Sequence, residues 1–114
     1  MFSQDKFTYL FDDVTGNKIW VFLENSEDSK WEFWVKTVVP AKKYKNKKGK
    51  LITSNSTFSL QFMEIDCNEN LYSLLDYTFY DDKGKVVSSG NSYSINNRIV
   101  PDSVVDGIRD YVCQ

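Results

Sequence analysis

Apolar side chains recur at every second position through most of this chain, in short runs broken by clusters of Asp, Asn, Ser and Gly. A period of two is that of a half-buried strand, and those breaks are turn-forming residues, so the pattern predicts a mainly β chain. Phe7 to Phe11 reads as a first strand, ended by Asp12-Asp13 and a turn at Thr15-Gly16-Asn17. Lys18 to Glu24 places Trp20 and Phe22 on one side and Ile19, Val21 and Leu23 on the other. A polar turn over Asn25 to Ser29 follows. Trp31 to Val39 then alternates, with Trp31, Phe33 and Val35 on one face and Glu32, Trp34 and Lys36 on the other. Pro40 closes that strand because it has no N–H to give to a ladder.

Ala41 to Lys50 reads as a lysine-rich connection with Gly49 near its end. Thr57 to Asp66 is the next strand, and its pattern slips in phase: Phe58, Leu60 and Phe62 lie on one face, while Met63, Ile65 and Cys67 continue on the other. A bulge, or a change from one-sided to two-sided burial, accounts for the slip. Leu71 to Tyr80 reads as a strand leading into a hairpin turn at Asp81 to Lys85. Val86 to Ser89 and Ser92 to Ile95 complete the sheet as two short strands on either side of Gly90-Asn91.

The last segment changes period. Val104, Val105, Ile108, Tyr111 and Val112 recur at helical spacing behind Pro101-Asp102-Ser103, and Ser103 with Asp106 resembles a capping box. So short a helix is marginal alone and must pack on the sheet. The predicted fold is therefore α+β: an antiparallel sheet of five to seven strands with one C-terminal helix, in a single domain over residues 1–114.

Composition narrows the functional classes. The 114 residues carry 14 basic and 16 acidic side chains, a net charge of −2, which argues against a dedicated nucleic-acid binder. No run approaches the roughly 18 apolar residues that would span a bilayer as a helix. There is no histidine, which removes the commonest general base and the commonest metal ligand together. Cys67 and Cys113 match no zinc or iron–sulfur spacing. They are either inert buried thiols or a disulfide tying the C-terminus to the body, which chain-entropy arithmetic values at about 4 kcal/mol. Met1 to Lys6 shows no basic stretch leading into an apolar run, so no export signal is read in this chain.

Three groups of residues are candidates for chemistry or recognition. Lys42, Lys43, Lys45, Lys47, Lys48 and Lys50, with Tyr44 among them, put six of the twelve lysines within nine positions. Such a patch attracts sulfated glycans, anionic lipid or acidic protein surfaces, or else is a solvated loop whose charges keep a sheet edge from pairing. Trp20, Trp31 and Trp34, with Phe22 and Phe33, are either core or a stacking platform. Trp31 and Trp34 cannot share a face, so one of them lies on the less buried side or beneath a partner; Trp34, beside Glu32 and Lys36, is the interface candidate. Glu64 and Asp66 share one side of a strand, as an acid pair for glycoside hydrolysis or a metal would, but no further ligands stand at recognisable spacing. Asp12-Asp13 and Asp81-Asp82 sit in turns, and Asn55-Ser56-Thr57 fits the glycosylation pattern or is simply a loop before a strand. No enzyme, metal or cofactor is expected.

Several of these pieces, in order, resemble the surface-adhesin protein E family of bacterial envelope proteins. They are Ile19 to Glu24 leading to Ser26, then Trp34-Val35-Lys36, then Asp66-Cys67 with Tyr72, then Tyr77 with the Asp82-Lys83-Gly84 turn, and finally Ile99-Val100-Pro101-Asp102-Ser103 with a helix closing on Cys113. The resemblance covers residues 15 to 114. It implies a helix on an antiparallel sheet, a Cys67–Cys113 disulfide, and a place in the bacterial envelope, periplasm or outer surface, or secretion. It also implies an adhesin that binds host extracellular-matrix or serum proteins, and dimers are known in the family. Two features depart from the family pattern: Asp102 stands where glycine is usual, and no export or lipid-attachment signal is read. The rival reading is a small inhibitor or immunity-type protein recognising a single toxin. A weaker third is a hydrolase built on Glu64 and Asp66.

Overall fold

A computed structural model describes residues 6–54 and 56–114, so the expectations for the first five residues and for Asn55 of the glycosylation pattern lie outside the described residues. Eight strands and one helix follow in order: β1 (Thr8–Asp12), β2 (Lys18–Glu27), β3 (Lys30–Val39), β4 (Lys42–Lys45), β5 (Leu51–Ser54), β6 (Thr57–Asp66), β7 (Leu71–Tyr80), β8 (Val86–Arg98) and α1 (Val104–Val112). Six strands form an antiparallel sheet in the order β1-β2-β3-β6-β7-β8, and β4 pairs with β5 in a separate ribbon. The α+β expectation of an antiparallel sheet of five to seven strands with one C-terminal helix holds in the main sheet, and the β4–β5 ribbon stands outside it.

Three of the connections are one turn used three times. In Asp13–Asn17, Asn46–Lys50 and Asp81–Lys85, the first side chain accepts two backbone N–H bonds, from the residues two and four positions on. The fourth residue is a glycine at φ 86°, 77° and 82°, the left-handed region where glycine has no Cβ to clash. Each turn spends a carboxylate or amide on the backbone, so Asp13 and Asp81 are structural.

The two faces of the sheet differ in what covers them. Ile19 and Val21 from β2, Phe33 and Val35 from β3, and Met63 and Ile65 from β6 are buried with Ile108 and Val112 of α1 in one cluster. Trp31 packs against that cluster from the same face, whereas Trp34 lies on the other. β3 pairs with β6 without a slip from Lys30–Asp66 to Val39–Thr57, so the phase change in β6 is a change of face: Met63 and Ile65 lie under α1, and Phe58 and Phe62 on the opposite side. A bulge is also present, but toward β7, where the register shifts between Phe62 and Met63.

Two sequence expectations need correction. Ala41 to Lys50 is not only a connection, because Lys42–Lys45 pairs with Leu51–Ser54. Val86–Ser89 and Ser92–Ile95 are parts of one strand that runs on through Gly90, opposite Tyr77, to Arg98, with register shifts along it. A glycine between strand-like runs reads locally as a turn, but here the ladder to β7 continues through it.

The helix begins as its capping residues predict. Ser103 Oγ accepts from the Asp106 N–H (3.2 Å), and the Asp106 carboxylate reaches back to the Asp102 N–H (2.9 Å). Asp102 itself sits at φ 64°, a region that favours glycine and that Asp tolerates better than most residues. Gly107 weakens the helix, yet a Cβ there would stand 2.8 Å from the Phe11 ring. The missing side chain is what lets β1 pack against α1.

The bond from the Asp102 N–H, followed by that from Arg109, holds the Asp106 carboxyl below the ordinary aspartate range, against the desolvation that raises it. A carboxyl depressed in the folded state binds its proton less readily there than in the unfolded chain, so its stabilisation is present above the unfolded value and is lost as pH falls through the folded one. Asp13 and Asp66 are lowered similarly by their turn bonds. The melting temperature is therefore expected to fall as pH drops below about 4. Thermal melts across that range should show a shallower fall in Asp106→Asn; an unchanged slope would remove Asp106 from the account.

Candidate functional site

The six lysines form an arm. The β4–β5 register, Lys42 opposite Ser54, continues that of β3–β6, Val39 opposite Thr57, with two residues intervening on each side. Pro40 and Ala41 separate β3 from β4, so the ribbon is a unit of its own beyond that end of the sheet, in a molecule that measures 55 × 30 × 26 Å. Lys42, Lys43, Tyr44 and Lys45 on β4 are exposed, as are Lys47, Lys48 and Lys50 in the turn at the tip. No acidic residue occurs between Lys36 and Glu64, so the whole arm is cationic. Elsewhere eight basic residues face sixteen acidic ones, a net charge of −8.

Trp34 is not beside the arm but in the middle of the sheet, on the face α1 leaves open. It is half-buried between its register neighbours Phe22 and Phe62, with the Phe62 ring 4.9 Å away, and its indole N–H donates to Glu24 Oε2 (2.7 Å). Farther along that face Phe58 stacks on Tyr80 at 4.4 Å, with the Lys36 ammonium 5.1 Å from the Phe58 ring. Tyr9 meets Trp20 edge-on at 5.3 Å. The face is a band of aromatic rings flanked by Glu24, Glu32 and Lys36, and the structure brings Trp34 and the lysines to two separate places.

The acid pair is not assembled into a site. Asp66 accepts the Asn68 and Glu69 N–H groups and the Ser29 hydroxyl, closing the β6–β7 turn, and these bonds hold its carboxyl low. Glu64 lines a cavity of about 410 Å³ with Glu27, Asp28 and Glu32, at the end of the sheet away from the arm, and Asp66 does not. Asp12 takes the Tyr9 hydroxyl and the Lys18 ammonium. Among the described residues no group of His, Cys, Asp and Glu could hold a metal.

Sequence reasoning did not anticipate a second concavity. Near the base of the arm, where α1 no longer covers its face, lies a trough of about 580 Å³ along Thr37, Val39, Thr57, Ser59, Gln61 and Phe79. Asn17 also lines it, with a buried Oδ1 that has no hydrogen-bond partner among the described residues. A nine-residue helix rises only about 13 Å and a ten-residue strand about 33 Å, so one helix cannot cover the whole length of the face.

Cys67, just past β6, and Cys113, at the C-cap of α1, are joined in a disulfide with their Cα atoms 5.8 Å apart. No helix among the described residues is long and apolar enough to cross a membrane. No curated protein and no solved structure matches this chain. The family model described as surface-adhesin protein E matches residues 11–114, and with the disulfide-pinned helix on an antiparallel sheet already in place, the chain belongs to that family.

Proposed function

We propose that this chain is a non-catalytic, adhesin-like protein of the bacterial envelope that binds a protein partner through the open sheet face centred on Trp34. Family membership supports the adhesin-like surface role, and the disulfide fits an oxidising compartment outside the cytosol. The observation that carries the reading is the aromatic band. Aromatic rings flanked by charges, on a sheet face with no helix over it, are the composition of a partner-binding surface. The family's described role points to host extracellular-matrix or serum proteins as partners, and Lys42, Lys43, Tyr44, Lys45, Lys47, Lys48 and Lys50 add charge attraction at one end of the molecule.

The test is binding of the full chain to immobilised extracellular-matrix and serum proteins, with Trp34→Ser beside the wild type. Truncating a central aromatic anchor is expected to weaken binding by about 30-fold or more while the melting curve stays cooperative. Equal binding by the variant would move the site elsewhere. A second copy on the same face is the rival occupant; it would appear as a concentration-dependent mass that Trp34→Ser abolishes.

A further inference from the structure

We propose that the β4–β5 arm is a docking prong for an anionic lipid surface, setting Tyr44 and Leu51 among phosphate headgroups that its lysines neutralise. Charge is the first support. The arm carries six lysines and no acid, and the rest of the chain, at −8, is repelled by the same surface. The chain therefore approaches arm first, and acids more than about 10 Å from the surface are largely screened at physiological salt.

The second support is that the arm is amphiphilic on both sides. Neighbouring residues of a ribbon point to opposite faces, so Lys42 and Tyr44 share one face while Lys43, Lys45 and Leu51 share the other. Tyr44 is 51% exposed and Leu51 60% exposed. A folded acidic protein would meet one face of so narrow a ribbon, and a soluble sulfated polymer gains nothing from a leucine or a tyrosine ring. A headgroup layer surrounds the ribbon, takes the lysine ammonium groups at its phosphates, and accommodates apolar and aromatic side chains at the boundary beneath.

This inference gives the arm a ligand of its own and does not rest on the Trp34 reading. The probe is a set of vesicles, phosphatidylcholine alone against equal parts phosphatidylcholine and phosphatidylglycerol, sedimented with the full chain at low and high salt. The chain is expected to co-sediment with the anionic vesicles only, and to be released by salt. K45Q/K47Q/K48Q/K50Q should lower the partition by about 100-fold or more. Tyr44→Ser with Leu51→Ser should lower it by about 10-fold while leaving retention on immobilised heparin unchanged. Failure to bind the anionic vesicles overturns the proposal. So does full vesicle binding by the Tyr44/Leu51 variant, which would make the arm a site for soluble polyanions. Trp34→Ser should bind vesicles normally, which keeps the two readings separable.

Discussion

Replacing Cys67 and Cys113 together by serine is expected to lower stability by about 4 kcal/mol and the melting temperature by on the order of 15 °C. The bridge closes a loop over 46 residues of sequence separation, which the unfolded chain would otherwise explore freely. Its position adds to the effect. α1 has nine residues, too few to be helical alone, and only Ile108 and Val112 on it are buried. The helix is held at its start by the Ser103 cap and at its end by Cys113. Without the bridge, fraying from the C-terminus would uncover Ile65, Phe33 and their neighbours. Urea unfolding of wild type and variant, with reductant added to the wild type as a third arm, would measure the loss. A deficit below about 1 kcal/mol would mean that helix packing suffices and that the denatured chain is already compact.

Phe33→Ala is expected to cost about 3–5 kcal/mol. Phe33 has no exposed surface and is the largest fully buried side chain among the described residues, opposite Leu23 on one neighbouring strand and Met63 on the other. Removing its ring leaves a cavity beneath α1 that the paired strands cannot close. Phe33→Leu, which retains most of the volume, should cost less than about 1.5 kcal/mol. Trp34 is the informative neighbour. It is one residue away and larger, but it lies on the open face, so Trp34→Ser should unfold at higher denaturant than Phe33→Ala. The reverse order in a urea titration would mean that the faces have been assigned the wrong way round.

Trp31 and Trp34 illustrate how far local pattern reaches. Their odd spacing already put them on different faces, and the structure sets Trp31 against the core and Trp34 opposite it. Ser103 and Asp106 likewise announced the helix start, since capping is a matter of residues three apart. The β4–β5 ribbon was not legible, because Lys42 to Lys45 has neither apolar alternation nor β-branched residues; it is extended because it pairs with Leu51–Ser54 across the Asn46–Lys50 turn. β8 was divided at Gly90 for the complementary reason, since only the pairing with β7 carries the strand through. The turn repeated at Asp13, Asn46 and Asp81 was present in the chain as an Asp or Asn three residues before a Gly, but without its ladders such a pattern is an ordinary loop.

By itself, then, the chain determined which side chains share a face, where turns and the helix cap fall, and that no histidine-based chemistry is available. Those are properties of neighbours in sequence, set by a strand period of two and by hydrogen bonds that reach a few residues. The tertiary structure alone decided which face the helix covers, that Glu64 and Asp66 do not meet in one cavity, and that six lysines stand on an arm while Trp34 sits in mid-sheet. Those outcomes depend on β3 finding β6 and on Cys113 finding Cys67, and contacts between such distant residues leave no mark on local spacing.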